Sequence, residues 1–130
     1  MTVTIIWNYP ELDRLLHQRS GAVGAHIANR ANSIMLAAKT QAGGSTGALK
    51  TSIHTNFERT AIGPRVLVGS PLHYAQMHHD GTKPHVIVAK NGGLLKFRGR
   101  SGVAVYAKSV LNPGTKPNRY LVDNLPLAVV

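Results

Sequence analysis

Apolar positions follow a helical spacing in the N-terminal part of the chain and a strand spacing beyond it. Met1 to Trp7 is a short apolar, β-branched run that Asn8-Tyr9-Pro10 closes, and proline suits the first turn of a helix. A helix is predicted from about Pro10 to Arg19. Leu12, Leu15 and Leu16 form its apolar stripe, and Glu11 and Asp13 complement the dipole in its first turn. Ser20-Gly21 breaks or bends it. A second helix follows from Ala22 to about Gln41, with Val23, Ile27, Ala31, Ile34 and Ala38 at three- and four-residue steps on one face, predicted to pack on a sheet. Its small residues Ala25, Ala28, Ala37 and Ala38 permit close packing.

Ala42-Gly43-Gly44-Ser45-Thr46-Gly47 reads as a loop. From Thr51 the period becomes two, with Ile53, Thr55 and Phe57 alternating with Ser52, His54 and Asn56, which predicts a strand. Gly63-Pro64 makes a turn, Val66 to Val68 a second strand, and Gly69-Ser70-Pro71 ends it. Leu72 to Asp80 fits helix or strand, with one or two helical turns preferred. Val86 to Ala89, Leu94 to Phe97 and Val103 to Val110 read as three further strands, separated by turns at Asn91-Gly92-Gly93 and at residues 99–102. A last helix is expected from Pro117 to Pro126. The sum is an α+β fold in one domain spanning residues 1–130: N-terminal helices on a mainly antiparallel sheet, and a short C-terminal helix.

Composition agrees with a folded chain, since 43% of residues are hydrophobic and 15% charged; aromatics are few, so the core must come from Val, Ile, Leu and Ala. The charge changes the picture more. Fifteen Lys and Arg face only Glu11, Asp13, Glu58, Asp80 and Asp123, a formal net charge of +10. Such a balance points to nucleic acid, bound through phosphates without sequence reading, or to an acidic partner protein, or to solubility alone. No cysteine is present, which excludes disulfides and thiolate chemistry. No apolar run approaches the length of a membrane span, and no basic segment followed by a long apolar stretch opens the chain, so a cytoplasmic origin without membrane contact is expected.

Candidate chemistry is sparse. Of seven histidines, His73, His78, His79 and His85 lie close in sequence, but adjacent His78 and His79 project in different directions and only Asp80 is near, so neither a metal nor a cofactor is expected. A small nuclease could be assembled from His79, His85 and Lys83, yet five acids in the whole chain leave little to orient a histidine or hold magnesium. No catalytic residue and no enzymatic activity are therefore predicted. More distinctive is a repeat: Gly81-Thr82-Lys83-Pro84 recurs as Gly114-Thr115-Lys116-Pro117. In each, glycine permits positive φ and proline fixes its own.

Three segments carry a resemblance. Residues 45–53, Ser45-Thr46-Gly47-Ala48-Leu49-Lys50-Thr51-Ser52-Ile53, resemble a Thr-Gly-x-Leu-x-x-Ser-Ile segment. Tyr74-Ala75 with His79-Asp80-Gly81-Thr82 is similar to Tyr-Ala-x-x-x-His-x-Gly-Thr, and Asn112 to Leu121 to Pro-Gly-Thr-x-Pro-x-x-Phe-Leu. In this order they resemble the neck, head-tail connector or tail-completion proteins of long-tailed bacteriophages. His78, Asn112 and Tyr120 depart from the pattern, which favours an aliphatic residue, His and Phe there. The resemblance implies a virion structural protein, made in the bacterial host cytoplasm and assembled in the neck as a homo-oligomeric ring. The ring would be sixfold or, second, twelvefold, between a portal-side connector or head-closure protein and the tail tube or tail terminator.

Two surfaces are expected to serve that role. The Gly81 to Pro84 and Gly114 to Pro117 turns are assigned to a subunit or neighbour interface. In the hairpin around Leu94 to Ser101, strand alternation puts Lys96, Arg98 and Arg100 on one side and Leu95 and Phe97 on the other. The basic side is expected to face DNA in the ring lumen; equally, Lys and Arg here could protect an edge strand from aggregation. A free basic nucleic-acid-binding protein is the rival reading of the whole chain, and a small nuclease the third.

Overall fold

The strongest predicted helix, α2 (Ala22–Gln41), is the longest element of the computed structural model, which describes residues 2–44 and 47–129. It is preceded by α1 (Tyr9–His17), where the Asn8 side chain accepts from the Glu11 amide at 3.3 Å and Pro10 occupies the first turn. Arg14 donates to the Glu11 carboxylate one turn back and holds its pKa below the usual range. The α+β class holds: helices lead, antiparallel strands follow, and a 3₁₀ helix closes the chain. The strands pair two by two in three small sheets. Met1 of the first apolar run and Ser45 and Thr46 of the glycine-rich loop lie outside the described residues.

Two compact units are distinguished, residues 1–75 with 118–130, and residues 76–117. The first holds α1, α2, α3 (Ala48–Ser52), the hairpin of β1 (His54–Arg59) and β2 (Pro64–Gly69), and the 3₁₀ helix Val122–Ala128. Its buried cluster joins Ala38, Ala42, Leu49, Ile53, Ala75 and Tyr120. α3 was not anticipated, and it corrects the strand expected from Thr51. Gly47 enters it in the left-handed region (φ 70°), and Thr51 and Ile53 return amide hydrogen bonds to Gly47 O and Leu49 O. The four-residue step from Leu49 to Ile53 places both in the core, so helical burial outcompetes the alternating pattern there.

The predicted face of α2 is buried over Ala31, Ile34 and Ala38, whereas Ile27 is half-buried and Val23 exposed. Sheet cover therefore reaches only part of the helix. Ile34→Ala is expected to cost ~2–5 kcal/mol, while Ile27→Ala costs less because its side chain already meets solvent. Urea unfolding midpoints of the two variants measure the difference, and equal shifts would contradict the packing described.

The C-terminal expectation also needs correction. Pro117 starts no helix, and Pro126 lies inside the 3₁₀ helix. Tyr120 is drawn into the core, and the Asn118 side chain donates through Nδ2 to Gln41 O at 3.1 Å, which ties the chain before Leu121 to the end of α2. The preferred helical turns within residues 72–80 are present as α4 (Ala75–Asp80).

The second unit is a two-stranded ribbon. β3 (His85–Val88) pairs with β6 (Ser109–Asn112), and β4 (Leu95–Arg98) with β5 (Ala104–Ala107). The turn expected at Asn91-Gly92-Gly93 is present, closed by the Gly93 amide on Lys90 O, but the strands on either side of it do not pair with each other. Asn91 (φ 55°) and Gly92 (φ 70°) instead carry residues 90–94 outward as an insertion with no counterpart on the returning strand, where Ala107 and Lys108 are consecutive. This shift of register splits the single strand expected from Val103 to Val110 into β5 and β6. None of residues 76–117 is buried.

Candidate interaction surface

The repeated Gly-Thr-Lys-Pro turns meet one another at the base of the ribbon. Thr82 and Thr115 exchange both backbone hydrogen bonds at 3.1 Å, and their hydroxyls lie 3.1 Å apart. This bridge continues the β3–β6 register, three residues out from the His85 and Asn112 pair. Gly81 (φ 74°) and Gly114 (φ 81°) occupy equivalent places across it. A Cβ on Gly81 would stand 2.5 Å from Thr115 O, and one on Gly114 would overlap Thr82 O. The glycines and threonines are thereby explained within the chain, while Lys83, Pro84, Lys116 and Pro117 stay exposed.

At the far end, cross-strand pairing fixes the two faces. Lys96 lies opposite Tyr106 and Arg98 opposite Ala104, whereas Leu95 and Phe97 oppose Ala107 and Val105. The Lys96 ammonium stands 5.8 Å from the Tyr106 ring centroid, within cation–π range. Arg100 departs from the expectation: β4 ends at Arg98, and Arg100 sits in the turn that the Gly99 and Gly102 amides close, so strand alternation does not assign its side. The nearer pairs carry no Lys, Arg, Asp or Glu, and Val86, Val88 and Leu111 among them are exposed.

Charge is unevenly spread. Residues 76–117 hold seven cations (Lys83, Lys90, Lys96, Arg98, Arg100, Lys108 and Lys116) against Asp80, a net of +6, seven less one, of the chain's +10. Of the four acids elsewhere, Glu11 pairs with Arg14, Asp13 with Arg59 at 2.6 Å and His17 at 3.1 Å, and Glu58 with Arg65 at 2.6 Å, while Asp123 accepts from the Gln41 side chain at 2.9 Å. Exposed pairs of this kind contribute little to stability.

His79 Nδ1 lies 2.6 Å from Asp80 Oδ1, and His85 Nδ1 lies 3.0 Å from Lys83 O. Among the described residues no three His, Asp or Glu are grouped to hold a metal, and no helix is long and apolar enough to cross a membrane.

The sequence reading missed an apolar groove in the first unit, of about 410 Å³, between α2, β2 and the 3₁₀ helix. Ile27, Ile34, Val66, Val68 and Leu125 line it, with Arg30 at its side. The signal available was Ile27, on the predicted face but too far toward the helix start to be covered by a two-stranded hairpin. No protein-family model matches the chain, and no curated protein and no solved structure matches it significantly.

Proposed function

We propose that this chain is a structural protein of the neck of a long-tailed bacteriophage, one copy of a ring that joins the DNA-filled head to the tail. One observation supports the reading most. The three segments that carry the resemblance, distant in sequence, supply Leu49, Ile53, Ala75 and Tyr120 to one buried cluster. The second and third also meet twice, through the Tyr120 hydroxyl on Ala75 O at 3.4 Å and through the Thr82–Thr115 bridge. That the three segments share one core supports reading them together as one signature.

In this reading the work is done by binding geometry, without catalysis or cofactor. The exposed Lys83, Pro84, Lys116 and Pro117 of the paired turns contact a neighbouring subunit, and Lys96, Arg98 and Arg100 face DNA passing through the ring. A two-stranded ribbon has dimensions that a DNA groove admits, and its cations bind phosphate without reading bases. The same charge favours the second reading, a free basic nucleic-acid-binding protein. Purified protein separates them: rings in electron micrographs support the neck, and a monomer that retards DNA supports the rival. DNA that is cleaved rather than bound would favour a nuclease.

Replacing Lys96, Arg98 and Arg100 together by Ala should weaken duplex DNA binding and flatten its dependence on salt, by up to about three phosphate contacts per chain. Titrations at low and moderate salt measure this. Equal binding by parent and variant would remove DNA from this face and leave an acidic neighbouring protein as its partner.

A further inference from the structure

The first apolar run has no place in its own fold. Residues 2–8 belong to no helix or strand, and Val3, Ile5, Ile6 and Trp7 are 60–88% exposed. No charge lies between Thr2 and Trp7, and the β-branched content suits a strand. In an extended segment Val3, Ile5 and Trp7 share one side. Exposed apolar residues in such a row mark an interaction site.

The same unit offers a complementary surface. Among the described residues β2 pairs with no strand but β1, and its Val66 and Val68 line the groove together with Ile27, Ala31 and Ile34. An added strand at an open sheet edge gains main-chain hydrogen bonds, and alternate side chains fill the pocket beneath. Charge selects which strand. Arg30 lines the groove, which disfavours the lysine-bearing ribbon and suits the uncharged arm. A head-to-tail ring needs two different, complementary surfaces on every copy.

We infer that residues 2–7 of one copy lie along β2 of the next, seating Ile5 and Trp7 in its apolar groove. The arm is then the link that closes the ring, and the inference rests on the proposed assembly.

Trp7 is the only tryptophan, so its fluorescence reports the arm. In the full chain, Trp7 emission should shift to the blue and resist acrylamide quenching as concentration drives assembly, followed in parallel by sedimentation. Leu125→Arg alters a groove position that is 53% exposed, so the fold should survive. It should remove the shift and weaken assembly at least about tenfold, because a charge is set against an apolar strand. A second measurement does not depend on the ring: a peptide of residues 2–8 is added to Trp7→Ser protein, and to the same protein carrying Leu125→Arg. Blue-shifted peptide emission with the first and not the second upholds the arm site even if rings never form, in which case only the neck reading falls. Three results would each overturn the inference. Trp7 is shielded in the monomer at every dilution, which places the arm on its own chain; assembly proceeds with Trp7 as quenchable as before; or the peptide fails to bind or binds regardless of Leu125→Arg.

Discussion

Gly114→Ala should open the base of the ribbon while leaving the helical unit folded. The backbone at Gly114 is left-handed (φ 81°), which costs an L-residue ~1–2 kcal/mol. The added methyl would also overlap Thr82 O, the acceptor of the Thr115 amide, so the bridge must separate to admit it. The unit has no buried residue to compensate, and an isolated two-stranded ribbon is marginal in water. Amide hydrogen exchange at Thr82 and Thr115 should therefore rise by roughly tenfold or more, the effect of at least ~1.4 kcal/mol. Gly102→Ala is the control. Its φ of 78° carries the same backbone cost, but a Cβ there meets nothing within 4 Å, so exchange at the Thr82–Thr115 bridge should be unchanged. If Gly114→Ala leaves both amides as protected as in the parent, the paired turns do not hold the ribbon.

Tyr120→Ala should be the most damaging truncation in the first unit, at about 3–5 kcal/mol. Tyr120 is 1% exposed and belongs to one buried cluster with Ala38, Ala42, Leu49, Ile53 and Ala75, where loss of the ring leaves a cavity. A small domain has little stability to spare, so the variant should be largely unfolded or melt far below the parent. Tyr120→Phe isolates the hydroxyl. Its hydrogen bond to Ala75 O is long, 3.4 Å, so the loss should lie at the low end of the ~0.5–1.5 kcal/mol range. Denaturation midpoints of the two variants compare the contributions. A Phe variant as unstable as the Ala variant would mean that the hydroxyl, not the ring, anchors the C-terminal segment.

How much was legible in the sequence depends on the range of the interactions involved. α2 was readable to its ends because its apolar spacing runs over many turns and glycines flank it. The β1–β2 hairpin and the turn at Gly63 followed from local alternation. What failed was set by partners distant in the chain. β3 looks outward to β6 rather than forward to β4, and no local feature distinguishes an Asn-Gly-Gly insertion from an Asn-Gly-Gly hairpin. The last segment reads as a helix until Tyr120 is known to be buried and Asn118 to be tied to Gln41. In the candidate surface, the repeat of Gly-Thr-Lys-Pro announced two matching turns, but that they face each other could come only from the fold. The alternation around Lys96 and Arg98 was sound up to the strand end, beyond which Arg100 obeys the turn.

Copies of this chain are proposed to close into a ring. Electron microscopy of the purified full-length protein, at concentrations where native mass spectrometry detects assembly, tests it most directly. Closed rings of a single size are expected, six copies first and twelve second, with a lumen wide enough for duplex DNA. A monomer at every concentration, or open chains of varied length that never close, would contradict it.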